Sequence, residues 1–319
     1  MKICYISKNF GDAATTLITK ATQILDEYEK QAFDLTLRQL YYQFVRRNWF
    51  PLDWADPTTG STNNERSYKR LGTIINDARL AGLIDWNRII DRTRNLRGLS
   101  HWDSPEDIIK SVSQQFRIDL WKNQPNRVEV WIEKDALVGV IEDVCRKFDV
   151  PFFSCRGYTS QSEIWSASQR FVNYFNLNGQ RTTILHFGDH DPSGVDMSRD
   201  ITDRITLFCN HHLGREVVNI QRIALTIEQV RTYDPPPNPA KITDSRAKAY
   251  ISEHGNSSWE LDALEPAVIS GLVEEKISEL IEWDSWDADQ STINKGRKQL
   301  VECAKRWDVV VSKVLNKDP

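Results

Sequence analysis

Three carboxylates stand where the pattern of the chain places reactive groups. Glu133 immediately follows Arg127–Ile132, a run that alternates in β fashion. Asp189 and Asp191 lie in Gly188-Asp-His-Asp-Pro-Ser-Gly194, immediately after the apolar run Thr182–Gly188. In extended chain, residues i and i+2 share a face, so the two aspartates point to one side and His190 to the other. Hard oxygen donors of this kind suit Mg²⁺, which keeps several waters and bridges to substrate phosphate. Glu133, Asp189 and Asp191 are therefore expected to form a Mg²⁺ site acting on phosphodiester bonds of nucleic acid. A plainer reading stays open beside it: Asp191 caps a helix beginning at Ser193, and Asp135 caps the helix after Glu133. His211-His212 reads as the surface end of a helix, not a metal site.

Such acids need a scaffold that brings them together. The candidate strands at 127–132, Val150–Cys155, Thr182–Gly188 and Val217–Leu225 alternate with helical segments at Asp135–Phe148, Ser160–Asn176 and Ser193–Cys209. That alternation predicts a parallel sheet covered on both faces, with ligands at the carboxyl ends of its strands. Ahead of it the chain reads as helices at 12–32, at Leu37–Arg47 behind the cap Thr36, and at Glu65–Ala81. The turn-rich loop Pro51–Asn64 separates the second from the third, and an extended basic segment, Leu83–Arg97, follows. Three helices and an extended basic segment are the layout of a winged helix-turn-helix. In the third helix Tyr68, Leu71, Ile74, Ile75 and Ala78 form the inner face. Arg66, Lys69 and Arg70 lie largely elsewhere on it and are candidate DNA contacts, with Arg92, Arg94 and Arg97 as wing contacts to phosphate.

Charge supports the division. Between Leu35 and Ser100 there are 11 Lys and Arg against 6 Asp and Glu, while the rest of the 319 residues holds 30 against 39. A basic part that grips phosphate is joined to an acidic part that holds metal. The net charge of −4 argues against a simple cationic coat on DNA. No stretch is apolar enough to span a bilayer, and Met1–Lys8 does not read as a signal peptide. Five scattered cysteines without a C-x-x-C pair read as reduced thiols of a cytoplasmic, nucleoid-associated protein.

The sheet segment resembles a Toprim domain, whose signatures are an acid after the first strand and D-x-D after a later one. The whole is similar to the A subunit of topoisomerase VI and the related meiotic double-strand-break proteins, and nearest in length to the stand-alone prokaryotic Mini-A relatives. The residues that carry this resemblance are Ile132-Glu-Lys-Asp135, Gly157-Tyr158, Asp189-His-Asp-Pro-Ser-Gly194 and Arg38-Gln-Leu-Tyr41-Tyr42. It implies an α/β chain with an α-rich N-terminal part. A winged-helix domain bearing a catalytic tyrosine (1–115) would precede a Toprim domain with a Rossmann-like sheet (116–235), a loop and a helical C-terminal extension (236–319). It also implies Mg²⁺-dependent double-strand cleavage of the type IIB kind through a tyrosyl–DNA intermediate. A homodimer would carry this out, with the tyrosine of one protomer reaching the Toprim site of the other.

Periodicity chooses between the tyrosines. Leu37, Leu40, Tyr41, Phe44 and Val45 form one helical stripe, which places Tyr41 on the core face. Tyr42 falls off the stripe, four residues after Arg38 and on the same face, so Arg38 is expected to hold a phosphate beside the Tyr42 hydroxyl. Glu133 is a candidate general acid or base. Lys241–Leu264 adds Lys241, Arg246, Glu260 and Asp262 as further polar candidates, against which Ser257-Ser-Trp-Glu260 reads as a capping box opening the next helix. No ATP-binding fingerprint is present, so an ATPase would have to come from a separate B-type subunit. Two alternatives remain open: a hydrolytic Toprim nuclease using water, and a non-catalytic DNA-binding or assembly subunit.

Overall fold

The structure is a computed structural model, and it describes residues 2–31, 33–90 and 99–314. Arg92, Arg94 and Arg97 lie outside the described residues. The first part is helical: α1 (Asp12–Glu29), α2 (Leu37–Arg46) and α3 (Glu65–Leu80). Thr36 caps α2 as expected and completes a capping box with Gln39. Four residues of the stripe read from the sequence, Leu40, Tyr41, Phe44 and Val45, pack with Leu17, Ile24, Leu71 and Ile75 in one apolar core; Leu37 is partly buried, and Gln39, Tyr42 and Gln43 off the stripe are buried as well. Gly82, at φ +73°, turns the chain after α3, and a Cβ there would lie 2.8 Å from the Cys4 nitrogen. Beyond it the described chain forms a short 3₁₀ turn at Trp86–Arg88 and a parallel bridge from Ile89 to Leu35.

After α4 (Pro105–Gln115) the chain enters the α/β layer. Its elements are β1 (Asn126–Ile132), α5 (Val138–Lys147), β2 (Phe152–Ser154), α6 (Gln161–Asn178), β3 (Arg181–Phe187), α7 (Pro192–Leu213) and β4 (Val218–Ala224). The four strands form one parallel sheet in the order β2-β1-β3-β4, a Rossmann-like arrangement. Alternation sends Val128, Val130, Ile132, Leu185 and Phe187 to one face, against α5. Trp131 and Ile184 go to the other, against α6 and α7.

Then follow α8 (Ile227–Tyr233), β5 (Asn238–Pro239), α9 (Ala247–His254), β6 (Ser257–Ser258), α10 (Pro266–Ser278), α11 (Trp283–Lys305) and α12 (Trp307–Val314). α10 packs on α5 and supplies Ile269, Val273 and Ile277 to the sheet core, while α11 packs along α4. Among the described residues no helix is long and apolar enough to cross a membrane.

Two local expectations are corrected here. Ser257-Ser-Trp-Glu260 does not open a helix: Ser257 and Ser258 pair antiparallel with Pro239 and Asn238, and α10 begins at Pro266. Asp135 does not cap α5 either; a 3₁₀ turn at Asp135–Leu137 leads into that helix, and the Asp135 carboxylate pairs with Arg156 at 3.2 Å.

Candidate active site

The sheet delivers the acids because β1 and β3 are parallel neighbours in register, with Ile132 beside Phe187. Glu133 and Gly188 therefore leave the sheet side by side. The Asp189 backbone N–H donates to Glu133 Oε2 at 2.8 Å. Asp191 does what the plainer reading said of it: its Oδ1 accepts from the Gly194 N–H at 2.6 Å and caps α7. His190 points away, into a contact between its Nδ1 and the Tyr250 hydroxyl at 2.8 Å.

A second loop completes the site. Trp259 exchanges two backbone hydrogen bonds with His190, and the Leu261 N–H donates to Asp189 Oδ1 at 2.8 Å. This docking carries Glu260 and Asp262 to the sheet edge, where Lys134 meets them. The Lys134 ammonium lies 2.7 Å from Glu260, 3.0 Å from Asp189 and 3.1 Å from Asp262. Arg38 enters from α2, 2.8 Å from Asp262 through Nε and paired with Glu260 through its outer nitrogen. Sequence reading treated Glu260 and Asp262 as weak candidates and assigned Lys134 no role. Their meeting is non-local, which no spacing motif reports.

Tyr42 departs from its expected exposure. Its side of α2 lies off the local stripe, yet the residue is only 3% exposed, because the turn after Glu260 covers it and sinks Ala263 into the same helical core. Arg38 still reaches it: an outer guanidinium nitrogen donates to the Tyr42 hydroxyl at 3.3 Å. Tyr41 is buried as expected, with its hydroxyl on Asn63 and on the Asn64 carbonyl. Tyr42, Arg38, Asp189, Asp191 and Glu260 line one cleft of about 300 Å³, with the exposed Lys241 at its mouth 4.0 Å from Asp191.

The electrostatics are those of an acid-rich pocket with part of its charge unbalanced. Burial raises the Asp189 carboxyl to about 7; Lys134 opposes this, and Glu133 and Asp262 add to it. Glu133 is raised chiefly by burial, with Asp191 adding repulsion. Glu260 is also buried, but Lys134 and Arg38 outweigh that and hold it at about 2. The two acids share Lys134 and still move in opposite directions, since Glu260 has a second cation in Arg38 and Asp189 faces Glu133. Burial works against the charge on Arg38 and Lys134, yet the surrounding carboxylates raise both above their ordinary values. Burial, then Asp262 and Glu260, hold the Tyr42 phenol far above its usual 10.

With all five acids ionised, Glu133, Asp189, Asp191, Glu260 and Asp262 face Arg38, Lys134, Arg222 of β4 and, at the mouth, the exposed Lys241, which leaves one negative charge, or two within the buried part of the site. Among the described residues, no three His, Cys, Asp or Glu side chains close into a cage for a metal ion. A divalent ion at this edge would take fewer than three of these carboxylates as they stand and leave the rest of its shell to water and phosphate.

The DNA candidates on α3 fall on its outer side. Arg66 and Lys69 are exposed, Lys69 paired with Glu65 one turn back, and Arg70 lies 5.3 Å over the ring of Trp54. Arg88, earlier on the expected wing, pairs instead with Glu29. No protein-family model matches the chain, and no curated protein does.

Proposed function

We propose that this chain cleaves duplex DNA by Mg²⁺-dependent transesterification through Tyr42, in the manner of the topoisomerase VI A subunits it resembles. The observation that carries the proposal is the shared cleft. Tyr42 and its arginine from the helical part line the same cleft as Asp189 and Asp191 of the β3 edge, within a single chain. Glu133, Asp189 and Asp191 are the residues that would hold Mg²⁺ once drawn closer together than they stand here; the bound ion would supply charge stabilisation to a phosphoryl group under attack.

The chain's own groups do the rest. Arg38 orients the phosphate beside Tyr42, releasing Glu260 as it does so. The Tyr42 oxygen forms the new bond to phosphorus, the bond to the sugar oxygen breaks, and the phenol proton passes to a carboxylate of the cleft. Glu133, raised by burial, suits the return of a proton to the departing oxygen. Arg66, Lys69 and Arg70 on α3 are the proposed duplex contacts, with Arg92, Arg94 and Arg97 beyond the described residues. A separate ATPase subunit belongs to the same proposal, and so does a homodimer; the resemblance has Tyr42 serve the partner's acids, whereas the cleft here joins it to Asp189 and Asp191 of its own chain.

One observation favours hydrolysis instead. Tyr42 is buried, and burial holds its phenol far above the usual 10, so an activated water is the easier nucleophile at neutral pH. The test is to incubate supercoiled plasmid with Mg²⁺, trap with detergent, and compare wild type with Tyr42→Phe and Asp189→Ala. Protein attached covalently to DNA ends, lost in both variants, supports transesterification. Cutting that survives Tyr42→Phe makes the enzyme a hydrolase, and binding without cutting leaves a DNA-binding subunit.

A further inference from the structure

Arg222 is the cation of this site that touches no carboxylate. It lies on β4, largely buried, in the strand next to β3. Its guanidinium is spent on backbone carbonyls. One outer nitrogen donates to the Gly194 carbonyl at 2.8 Å and to Ser198 Oγ at 3.0 Å. The other donates to the carbonyls of Gly188 and Leu225, both at 3.2 Å, and to that of Asp189. Gly188, Asp189 and Gly194 bracket the acidic turn from its first residue to the helix it enters. A single planar fork thus fixes both ends of the segment that carries Asp189 and Asp191.

The fork has a counterpart on the other side of the turn. A Cβ on Gly194 would stand 2.2 Å from the Asp189 carbonyl oxygen, the same atom that Arg222 holds. The turn is tight enough that only glycine fits there, and the arginine closes it. Burying a guanidinium without an ion-pair partner is costly, and carbonyl acceptors recover only part of that cost. The remaining compensation is the collective field of Glu133, Asp189 and Asp191, toward which the cation faces. Lysine, a point donor on a flexible stem, cannot reproduce a fork that reaches carbonyls on two sides.

We propose that Arg222 is the positioning residue of the acidic turn, setting the direction of the Asp189 and Asp191 carboxylates toward a divalent ion and supplying positive potential behind them. The inference rests on the metal reading above and is separable from it.

The experiment is calorimetric titration of the full chain with Mn²⁺ and with Mg²⁺, run on wild type, Arg222→Lys and Ser198→Ala, each with a thermal melt. Arg222→Lys keeps the charge and loses the fork. It is expected to weaken metal binding by about 10- to 100-fold, the usual effect of removing a group that orients metal ligands. A purely structural role predicts a lowered melting temperature with unchanged affinity in whatever fraction is folded, and that result overturns the proposal. Should Arg222→Lys fail to fold, Ser198→Ala removes one acceptor of the fork; a few-fold loss of affinity supports the proposal and unchanged affinity overturns it. No metal binding by wild type overturns the metal reading itself, and the role of Arg222 falls with it. Binding by wild type that the variants leave untouched overturns the role of Arg222 alone.

Discussion

Arg38 and Asp262 are separated by 224 positions in the chain and by 2.8 Å in the structure. Asp262 is almost wholly buried, and it also accepts from Lys134 at 3.1 Å, so one carboxylate ties α2 to the edge of the sheet. Removing it takes one carboxylate from each of two cations, both of which keep Glu260. Breaking a buried pair by deleting one partner costs about 3–5 kcal/mol, and the partial exposure of Arg38 puts Asp262→Ala at the lower end. Urea denaturation should show this loss, with Asp262→Asn milder. Less than about 1 kcal/mol for the alanine variant would mean the two parts of the chain are not joined through this residue.

Most of the fold was legible because its signals are local. The strands at 127–132 and 182–188 and the cap at Thr36 need only a few neighbouring residues to be read, and the structure places them within a residue or two. The site was legible in part for the same reason: strand-end acids in a parallel sheet converge by topology. The turn at 257–264 was not, since its serines pair with residues 18 and 20 positions earlier and its acids meet Lys134 and Arg38 only through docking on His190. The burial of Tyr42 was not legible for a related reason, as a helical stripe reports one buried face and says nothing of a second element arriving from far along the chain. Arg222 did leave a signal. A part-buried charged residue near the end of a strand has to find partners, and the nearest candidates were the turns at the same sheet edge.

The two adjacent tyrosines should separate cleanly. Tyr41 spends its hydroxyl on Asn63 and Asn64, so Tyr41→Phe is expected to lose about 1 kcal/mol of stability and keep the covalent DNA product. Tyr42→Phe removes a hydroxyl whose contact is a 3.3 Å approach from Arg38, and should abolish that product with stability nearly unchanged. Denaturation curves and detergent-trapped gels on both variants decide it. Reversed assignments would place the nucleophile on Tyr41.

Two acids give the metal-free protein opposite pH slopes. Glu260 is held at about 2, below the ordinary 4.5, so its contribution is in place above pH 4.5 and is lost as pH falls toward 2. Asp189 is held at about 7, above the ordinary 3.8, so the folded state binds the extra proton between these values. Stability from this group therefore declines as pH rises from about 4 to 7, by a few kcal/mol at most. Unfolding free energy without divalent ions should peak near pH 4, where the two windows meet. Asp189→Asn should flatten the decline above pH 4, and an unchanged slope would show that Asp189 ionises freely in the folded chain.

Lys134 offers the sharpest check on the charge balance. Its ammonium sits among Asp189, Glu260 and Asp262, the place where a cation is most stabilised. Like charges about 4 Å apart repel by about 4 kcal/mol at the effective dielectric of a protein surface, so removing this cation leaves the three acids strongly opposed. Lys134→Met should therefore melt several degrees lower than wild type when metal-free. The same surplus charge draws divalent ions more tightly, and ligand binding to the folded state raises stability with concentration. Added Mg²⁺ should raise the melting temperature of Lys134→Met by more than it raises that of wild type. Thermal melts across a Mg²⁺ series measure both effects at once. A variant that melts low and gains nothing from Mg²⁺ would show that Lys134 only braces the two loops, and that the acids around it do not take up a divalent ion.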